Sequence, residues 1–493
     1  MNSKIILTLA ASFTLLAMAP PSQLAAQTAY GSTDFEVTGS PVAQTLFLRG
    51  LLQLHNFEYE DARDSFLAAQ QQDPAMVMAY WGEALTHEHP LWGQHDIAAS
   101  RAALAKLGPT PAARIAKAQT EREKAYLRSL NVLFGEGTQE EREIRYSEAL
   151  GEIYTQNPDD LDAAALYALS ILTTSHGGRD FAKYMRAGAI TEDILRKHPS
   201  HPGALHYNIH SFDDPIHAPL GLRAANIYSE IAPSAVHALH MGSHIYFALG
   251  MWELGSERNL RAFNEAVARQ PAPDSQYGGQ AYHSLTWLIY SLNQQGKHAE
   301  AAAKLALIED QVNRYGGPMN TRNFVNARAG YVIDTHEWGG HFATVKVDYA
   351  GLDPVTIATD RYVQGVRALK AGELAAAKLA LAGIGGGEPM RSGNRRDMVP
   401  RLLHLGLAGQ IELAAGNQAQ ALALLEEAVE LEASVSPDYG PAVPVQPMAE
   451  LLGDVYLALG DAELAKASYE RSLAAYVGRE RSLRGLAKAS GQT

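Results

Sequence analysis

Two pairs of histidines, His206/His210 and His240/His244, each have four-residue spacing and lie 34 residues apart. On a helix, i and i+4 side chains stand one above the other, so each pair projects two imidazoles from one face. Eight of the 18 histidines fall between His198 and His244, which concentrates nitrogen ligands in a tenth of the chain. Asp213 continues the first face at i+7, with Asp214 beside it, and His237 extends the second face at i−3. His283 lies further on, and His217 ends the run His-Ser-Phe-Asp-Asp-Pro-Ile-His, just past a turn from which it can swing back. If the two helices are neighbours, their axes lie about 8–10 Å apart. Four to six imidazole nitrogens can then converge on one or two cations, at bond lengths of about 2.0–2.1 Å.

The ligand set selects the metal. Imidazoles with a carboxylate suit Zn and Cu first, and Fe or Mn when the carboxylate binds the ion directly. His206, His210, His240, His244 and Asp213 are the expected ligands, and Asp214, His217, His237, His283 and His89 are further groove residues. Four histidines closing a tetrahedron would make a structural site. An open position would let Asp213 or Asp214 act as general base on a metal-bound water, or both carboxylates could orient imidazoles from behind. Three plus three histidines would resemble a coupled dicopper arrangement. Without a metal, the same groove reads as a polar lining for a peptide, as a proton sensor titrating near the ordinary His value of about 6.5, or as an inert duplicate.

What must position these residues is a repeat. A 34-residue template, with small or apolar residues at positions 4, 7, 8, 11, 20, 24 and 27 and Pro at 32, fits several windows. Starting at Ala43 it collects Leu46, Gly50, Ala62, Phe66, Ala69 and Pro74. Starting at Tyr282 it collects Leu285, Leu288, Ile289, Leu292, Ala301, Leu305 and Ile308, and starting at Gln446, Ala449, Leu452, Gly453, Tyr456, Ala465 and Tyr469. Leu405–Ala428 and Tyr362–Ile384 match further, whereas Asp96–Pro158 reads as helical without the template. Gln270–Gly279, Gly385–Asn394 and Ser434–Pro447 read as interrupting loops, with a hinge near Gly385–Gly387. Strand alternation is nearly absent.

These small-residue positions resemble the tetratricopeptide repeat (TPR) family over most of the chain. The resemblance implies an all-α, helix-turn-helix solenoid coiled as a right-handed superhelix, with ligands bound on the concave surface at helix-A positions 2, 5, 9, 12 and 13. With repeats begun at Pro202 and Val236, that surface takes in His206, His210, Asp213, Asp214, His237, His240 and His244, followed by His283. A repeat begun at Val77 adds Trp81 and His89. The stretch from His201 through Trp252 also resembles exported bacterial TPR proteins with the same His-rich double repeat, which implies a shared site and no particular reaction. The expected organisation is a solenoid over 27–384 with its His-rich groove at 198–290, then further repeats over 385–493.

The remaining motifs are weak. His336-Glu337-Trp338-Gly339-Gly340-His341 has one residue more than the zincin helix, so its second His leaves the face of the first, and it reads as a turn. Gly-x-Ser-x-Gly and the phosphate-loop Gly-Lys-Ser/Thr are both missing, so no nucleotide cofactor is expected. His55, His176, His298 and His404 read as surface or satisfied core residues. Trp252, Trp287 and Tyr456 read as core, and Trp92 as packing at the groove's edge.

Composition narrows the class. At 46% hydrophobic and 19% charged residues the chain is too apolar to be disordered. A formal net charge of −13, with no Lys/Arg run, argues against nucleic acid or an anionic membrane surface as partner. With no cysteine there is no disulfide, thiolate ligand or Cys nucleophile. Lys4 followed by the apolar stretch Ile5 to Ala19 reads as an export signal cleaved near Ala26, giving a periplasmic or secreted protein with no membrane span in the mature chain. Three functions follow: a metal-storing or metal-delivering solenoid, a hydrolytic or oxidative metalloenzyme working in the groove, or an adaptor binding a protein or peptide partner without metal.

Overall fold

The computed structural model describes residues 29–272, 274–385, 395–436 and 439–492. The expected export signal at 1–26 and residues 386–394 of the expected interruption and hinge lie outside them. Among the described residues are 24 α-helices and a single antiparallel pair of two-residue strands, β1 (Glu88–His89) and β2 (Gln94–His95). No helix among them is long and apolar enough to cross a membrane.

The helices pair as the small-residue spacing requires. α1 (Pro41–His55) folds back on Tyr59–Gln72 because Gly50 leaves room for the Phe66 ring, which a Cβ there would meet at 2.8 Å. Gly82, on the next helix, meets the same ring, with only 2.4 Å for a Cβ. Phe66 is thus clamped between two helices that approach closely through glycine. Gly453 and Tyr469 repeat the device in the hairpin Met448–Leu459/Ala462–Ala475. The untemplated 96–158 region is held by local signals instead. Thr120 with Glu123 and Thr138 with Glu141 form capping boxes at the starts of Glu121–Leu133 and α2 (Gln139–Gln156).

Central to the array are α3 (Leu161–Thr173), α4 (Pro202–Phe212), α5 (Ala218–Ile231), α6 (Val236–Ala248), α7 (Trp252–Ala268) and α8 (Gly279–Gln294). Each packs on the next helix in sequence, and α4, α6 and α8 also pack side by side as the inner helices of successive hairpins. The inner series then turns back on itself. α1 touches α4, and the last helix, α9 (Glu480–Ala489), docks on α8. The described residues of the expected loops at Gln270–Gly279 and Ser434–Pro447 lie between helices, and Ser436 and Tyr439 of the second lie across the inner face instead of projecting from the array. The groove expected from the repeat is therefore occupied by the protein's own chain.

One apolar core runs from Phe35 to Tyr246, a second from Phe263 to Ile411, and a third lies within the last hairpins. A small aromatic cluster of Phe247, Trp252, Trp287, Tyr290 and Ala442 joins α6–α8 to the C-terminal loop.

Candidate metal centre

α4 starts abruptly. His201 caps it, its Nδ1 accepting from the Ala204 amide at 3.2 Å, and Pro202 occupies the first turn, where a missing N–H costs nothing. This fixes the phase that turns His206 and His210 inward. α6 follows Pro233 and presents His237, His240 and His244 along the facing side, and α8 adds His283. All of these except the half-buried His283 are buried.

The six imidazoles sort into two groups. In His206, His210 and His237 one ligand nitrogen from each ring lies within 4.8 Å of the others, and the same holds for His240, His244 and His283. Nε2 of His237 is 3.2 Å from Nε2 of His206. Nε2 of His240 is 3.1 Å from that of His244 and 2.9 Å from that of His283. Three nitrogens sharing one ion at about 2.0–2.1 Å would stand about 3.3–3.6 Å apart, so only small ring adjustments separate these groups from a coordination sphere. The two groups abut: the rings of His210 and His244 are 5.1 Å apart between centroids, and those of His237 and His240, 5.9 Å.

Hydrogen bonds behind the rings set which nitrogen faces in. Nδ1 of His206 donates to the His55 carbonyl at 2.7 Å, and Nδ1 of His240 to Oδ1 of Asn259 on α7 at 2.7 Å. Nδ1 of His210 and Nδ1 of His244 both donate to Oδ2 of Asp213, at 3.2 and 3.0 Å. A ring that donates from Nδ1 while neutral carries its lone pair on Nε2. Burial, reinforced by neighbouring imidazoles, drives the His206, His237 and His240 values far below 6.5, and burial first among several causes takes His283 to about 3. Around neutral pH these rings are therefore uncharged, and in each group basic nitrogens confront one another. Nε2 of His210 is buried with no hydrogen-bond partner. Lone pairs opposed in a buried pocket are what a cation relieves.

Asp213 stands behind the ring of imidazoles, on their Nδ1 edges. Burial alone would raise its carboxyl, but Arg179 and the two imidazole N–H groups outweigh that and hold it well below the usual carboxylate range. Arg179 donates to Oδ1 of Asp213 at 2.7 Å and to the His210 carbonyl at 3.1 Å, and stacks on Tyr184. Asp214 is used locally, accepting from the Ile216 and His217 amides and from Nδ1 of His217. That bond holds His217 outside both groups, with its side chain 23% exposed, so the swing toward the centre does not occur. His89 is also outside, bonded to Gln94 and Thr86 and stacked on Tyr59. Nor do His206, His210, His240 and His244 close one tetrahedron: they divide two and two, each pair completed by His237 or His283.

Aromatic rings wall the site. Phe57, a non-glycine residue at φ 57°, sets its ring 4.3 Å from His206 and stacks on His237. Trp287 stacks on His244 at 4.6 Å and meets His240 edge-on at 4.7 Å. Tyr439, from the C-terminal loop, covers His244 at 5.0 Å and His210 at 6.0 Å. Trp92, 37% exposed, stands edge-on to His237 at the outer rim. Sequence reasoning did not identify Phe57, Asn259, Arg179, Trp287 or Tyr439 as parts of the site.

A neighbouring group, His55, His201 and Asp162, is wired differently. Nδ1 of His55 faces the Tyr207 hydroxyl at 3.0 Å and its Nε2–H donates to Oδ1 of Asp162 at 2.9 Å, whereas Nδ1 of His201 accepts from a backbone amide and its Nε2–H, 3.5 Å from the same oxygen, makes no hydrogen bond. Protons, not lone pairs, face the centre. This is a buried structural network, and it holds the segment whose carbonyl orients His206. The 336–341 segment is a turn as expected, with His336 left-handed at φ 59° and His341 paired with Glu309.

No protein-family model matches the chain, and no curated protein matches it. Solved structures align along most of its length at low identity. The APC/C Cut9–Hcn1 hetero-tetramer is 16% identical over 95% of this chain and 80% of that one, with a TM-score of 0.37. A human IFIT1 dimer with m7Gppp-AAAA is 13% identical over 95% and 94%, with a TM-score of 0.40. The P58(IPK) TPR domain is 11% identical over 91% and 97%, with a TM-score of 0.24. These likenesses are distant, and the TPR-like character of the fold rests on the helix pairs themselves.

Proposed function

We propose that this TPR-like array is a metalloprotein whose inner helices hold two transition-metal ions in adjacent three-histidine sites. One observation supports this most directly. Four imidazoles from two helices have their Nδ1 atoms engaged by acceptors outside the cluster, which aims the basic Nε2 atoms at a shared interior. A peptide-binding groove would have no need to bury those nitrogens beneath Trp287 and Tyr439.

Imidazole-only surroundings favour Zn or Cu over the harder Fe or Mn, because no carboxylate faces the Nε2 side. Three ligands leave one position of each ion open, as catalytic sites do and closed structural sites do not. A pair of such ions would supply either an activated water for hydrolysis or, as Cu(II), a two-electron acceptor for oxidation of a substrate. The protein's own residues do the rest. Asp213 and Asn259 hold imidazole orientation, Arg179 keeps Asp213 ionised, and the aromatic wall excludes bulk water. The leading segment is proposed to export the chain, consistent with a site that uses no thiolate.

Reconstitution of the purified chain with Cu or Zn, followed by total-metal analysis, tests the proposal. Two ions per chain are expected. His206→Ala with His210→Ala should remove one, and His240→Ala with His244→Ala the other. Retention of both ions in both variants would refute it.

A further inference from the structure

A second cluster of ligand-type side chains lies apart from the six histidines, where β1 and β2 meet α2. Glu88, His95 and Glu143 each bring a ligand atom within 4.8 Å of the others. Both glutamates are more than nine-tenths buried, at 8% and 7% exposure. Nδ1 of His95 donates to Oε1 of Glu88, and Oε2 of Glu143 is 2.6 Å from Nε2 of His176. Among the described residues no Lys or Arg pairs with either carboxylate. Arg142, the nearest guanidinium in sequence, is spent on the Leu133 and Gly137 carbonyls.

Two buried carboxylates whose only basic partners are imidazoles carry uncompensated negative charge whenever those imidazoles are neutral. The group that bridges the cluster is the exposed side chain of Gln139. Its amide nitrogen lies 2.6 Å from Nε2 of His95 and 2.8 Å from Oε1 of Glu143. A neutral amide supplies donors there but no charge, and being exposed it can withdraw. Glu88 and Glu143 also line a largely apolar cavity of about 50 Å³, and Phe57, which covers His206, lines the same cavity.

We infer that Glu88, His95 and Glu143 form a second, separate cation site that takes a divalent ion of harder character than the six-histidine centre, Mn²⁺ being the best match. Two carboxylate oxygens and one nitrogen favour Mn²⁺ or Fe²⁺ relative to an all-imidazole set. A dication would take the Nδ1 lone pair of His95 once that proton has moved to Nε2, neutralise both glutamates, displace the Gln139 amide and leave His176 as the hydrogen-bond partner orienting Glu143.

The test is a Mn²⁺ titration of the full chain read by electron paramagnetic resonance. One Mn²⁺ per chain is expected, with affinity reduced about tenfold or more in Glu88→Gln and in Glu143→Gln. His240→Ala should leave it unchanged, which separates this site from the histidine centre. No Mn²⁺ bound at millimolar concentration, or equal loss in His240→Ala, overturns the inference. Should the glutamate variants fail to fold, wild-type crystals soaked in Mn²⁺ decide. An anomalous peak between Glu88, His95 and Glu143 supports the site, and a peak only elsewhere or no peak removes it.

Discussion

At the scale of single residues, Asp213 carries more of the site than any ligand does. Its Oδ2 fixes one imidazole from each helix, and its Oδ1 holds Arg179. Asp213→Asn keeps the shape but removes the charge. Oδ1 can still accept from Arg179, whereas the amide opposes the two Nδ1–H groups. Metal affinity should fall by about 10–100-fold in chelator competition. Stability should fall by about 3 kcal/mol in urea denaturation, since the buried guanidinium keeps only Asp214, at 3.6 Å. The inward phase of His206, His210, His240 and His244 was legible because four-residue spacing and a 34-residue shift are properties of the sequence. That Asp213 sits behind the rings was not legible, because ligand and orienting roles differ only by which edge of an imidazole is turned toward it. His217 illustrates the same limit: its nearness to Asp214 captured it locally, where spacing alone allowed it to reach the centre.

At the scale of elements, the hairpins follow from where small residues fall, and their pairing was readable for that reason. The covering loop at 434–447 was legible as a loop and no more. Its Pro and Gly residues mark the end of a helix, but nothing local says which distant surface the segment will meet. The structure shows it meeting Trp287. Gly440, at φ +95°, would place a Cβ 2.3 Å from that ring. Gly440→Ala should therefore push the loop off, at a cost of about 1–3 kcal/mol, and shift the Trp287 fluorescence toward that of a wetter indole. Unchanged emission and stability would mean that the loop is not seated on the site. The terminal helix α9 is anchored by Arg479, which is fully buried and paired with Glu450 and Asp334. Burial opposes ionisation of Glu450, but Arg479 and Arg481 outweigh it and pull the carboxyl from 4.5 down to about 2. The folded value lies below the unfolded one, so Glu450 stabilises above pH 4.5 and that contribution, about 3 kcal/mol, is lost as pH falls from there through 2. Asp334, raised by burial despite Arg479, works in the opposite sense. The comparison must accordingly be with Glu450→Gln, whose acid-unfolding curve should be flatter than the wild type's between those limits.

At the scale of the whole molecule, the array is wound tightly enough for α1 to reach α4 and for α9 to reach α8. An all-α repeat was readable from the chain, but closure was not, since it accumulates from small rotations at each hairpin. Closure turns a groove into an interior, and it does so where the histidines are densest. A ligand bound there stabilises the folded state by mass action. Zn²⁺ or Cu²⁺ should consequently raise the melting temperature of the wild type and have much less effect on the His206→Ala/His240→Ala chain, as scanning calorimetry would show.

Anomalous diffraction from crystals of the chain loaded with Cu or Zn addresses the centre itself. Two peaks are expected, one bounded by His206, His210 and His237 and the other by His240, His244 and His283. A single ion, or density confined to the protein surface while the six rings keep their hydrogen-bonded positions, would contradict the paired three-histidine centre.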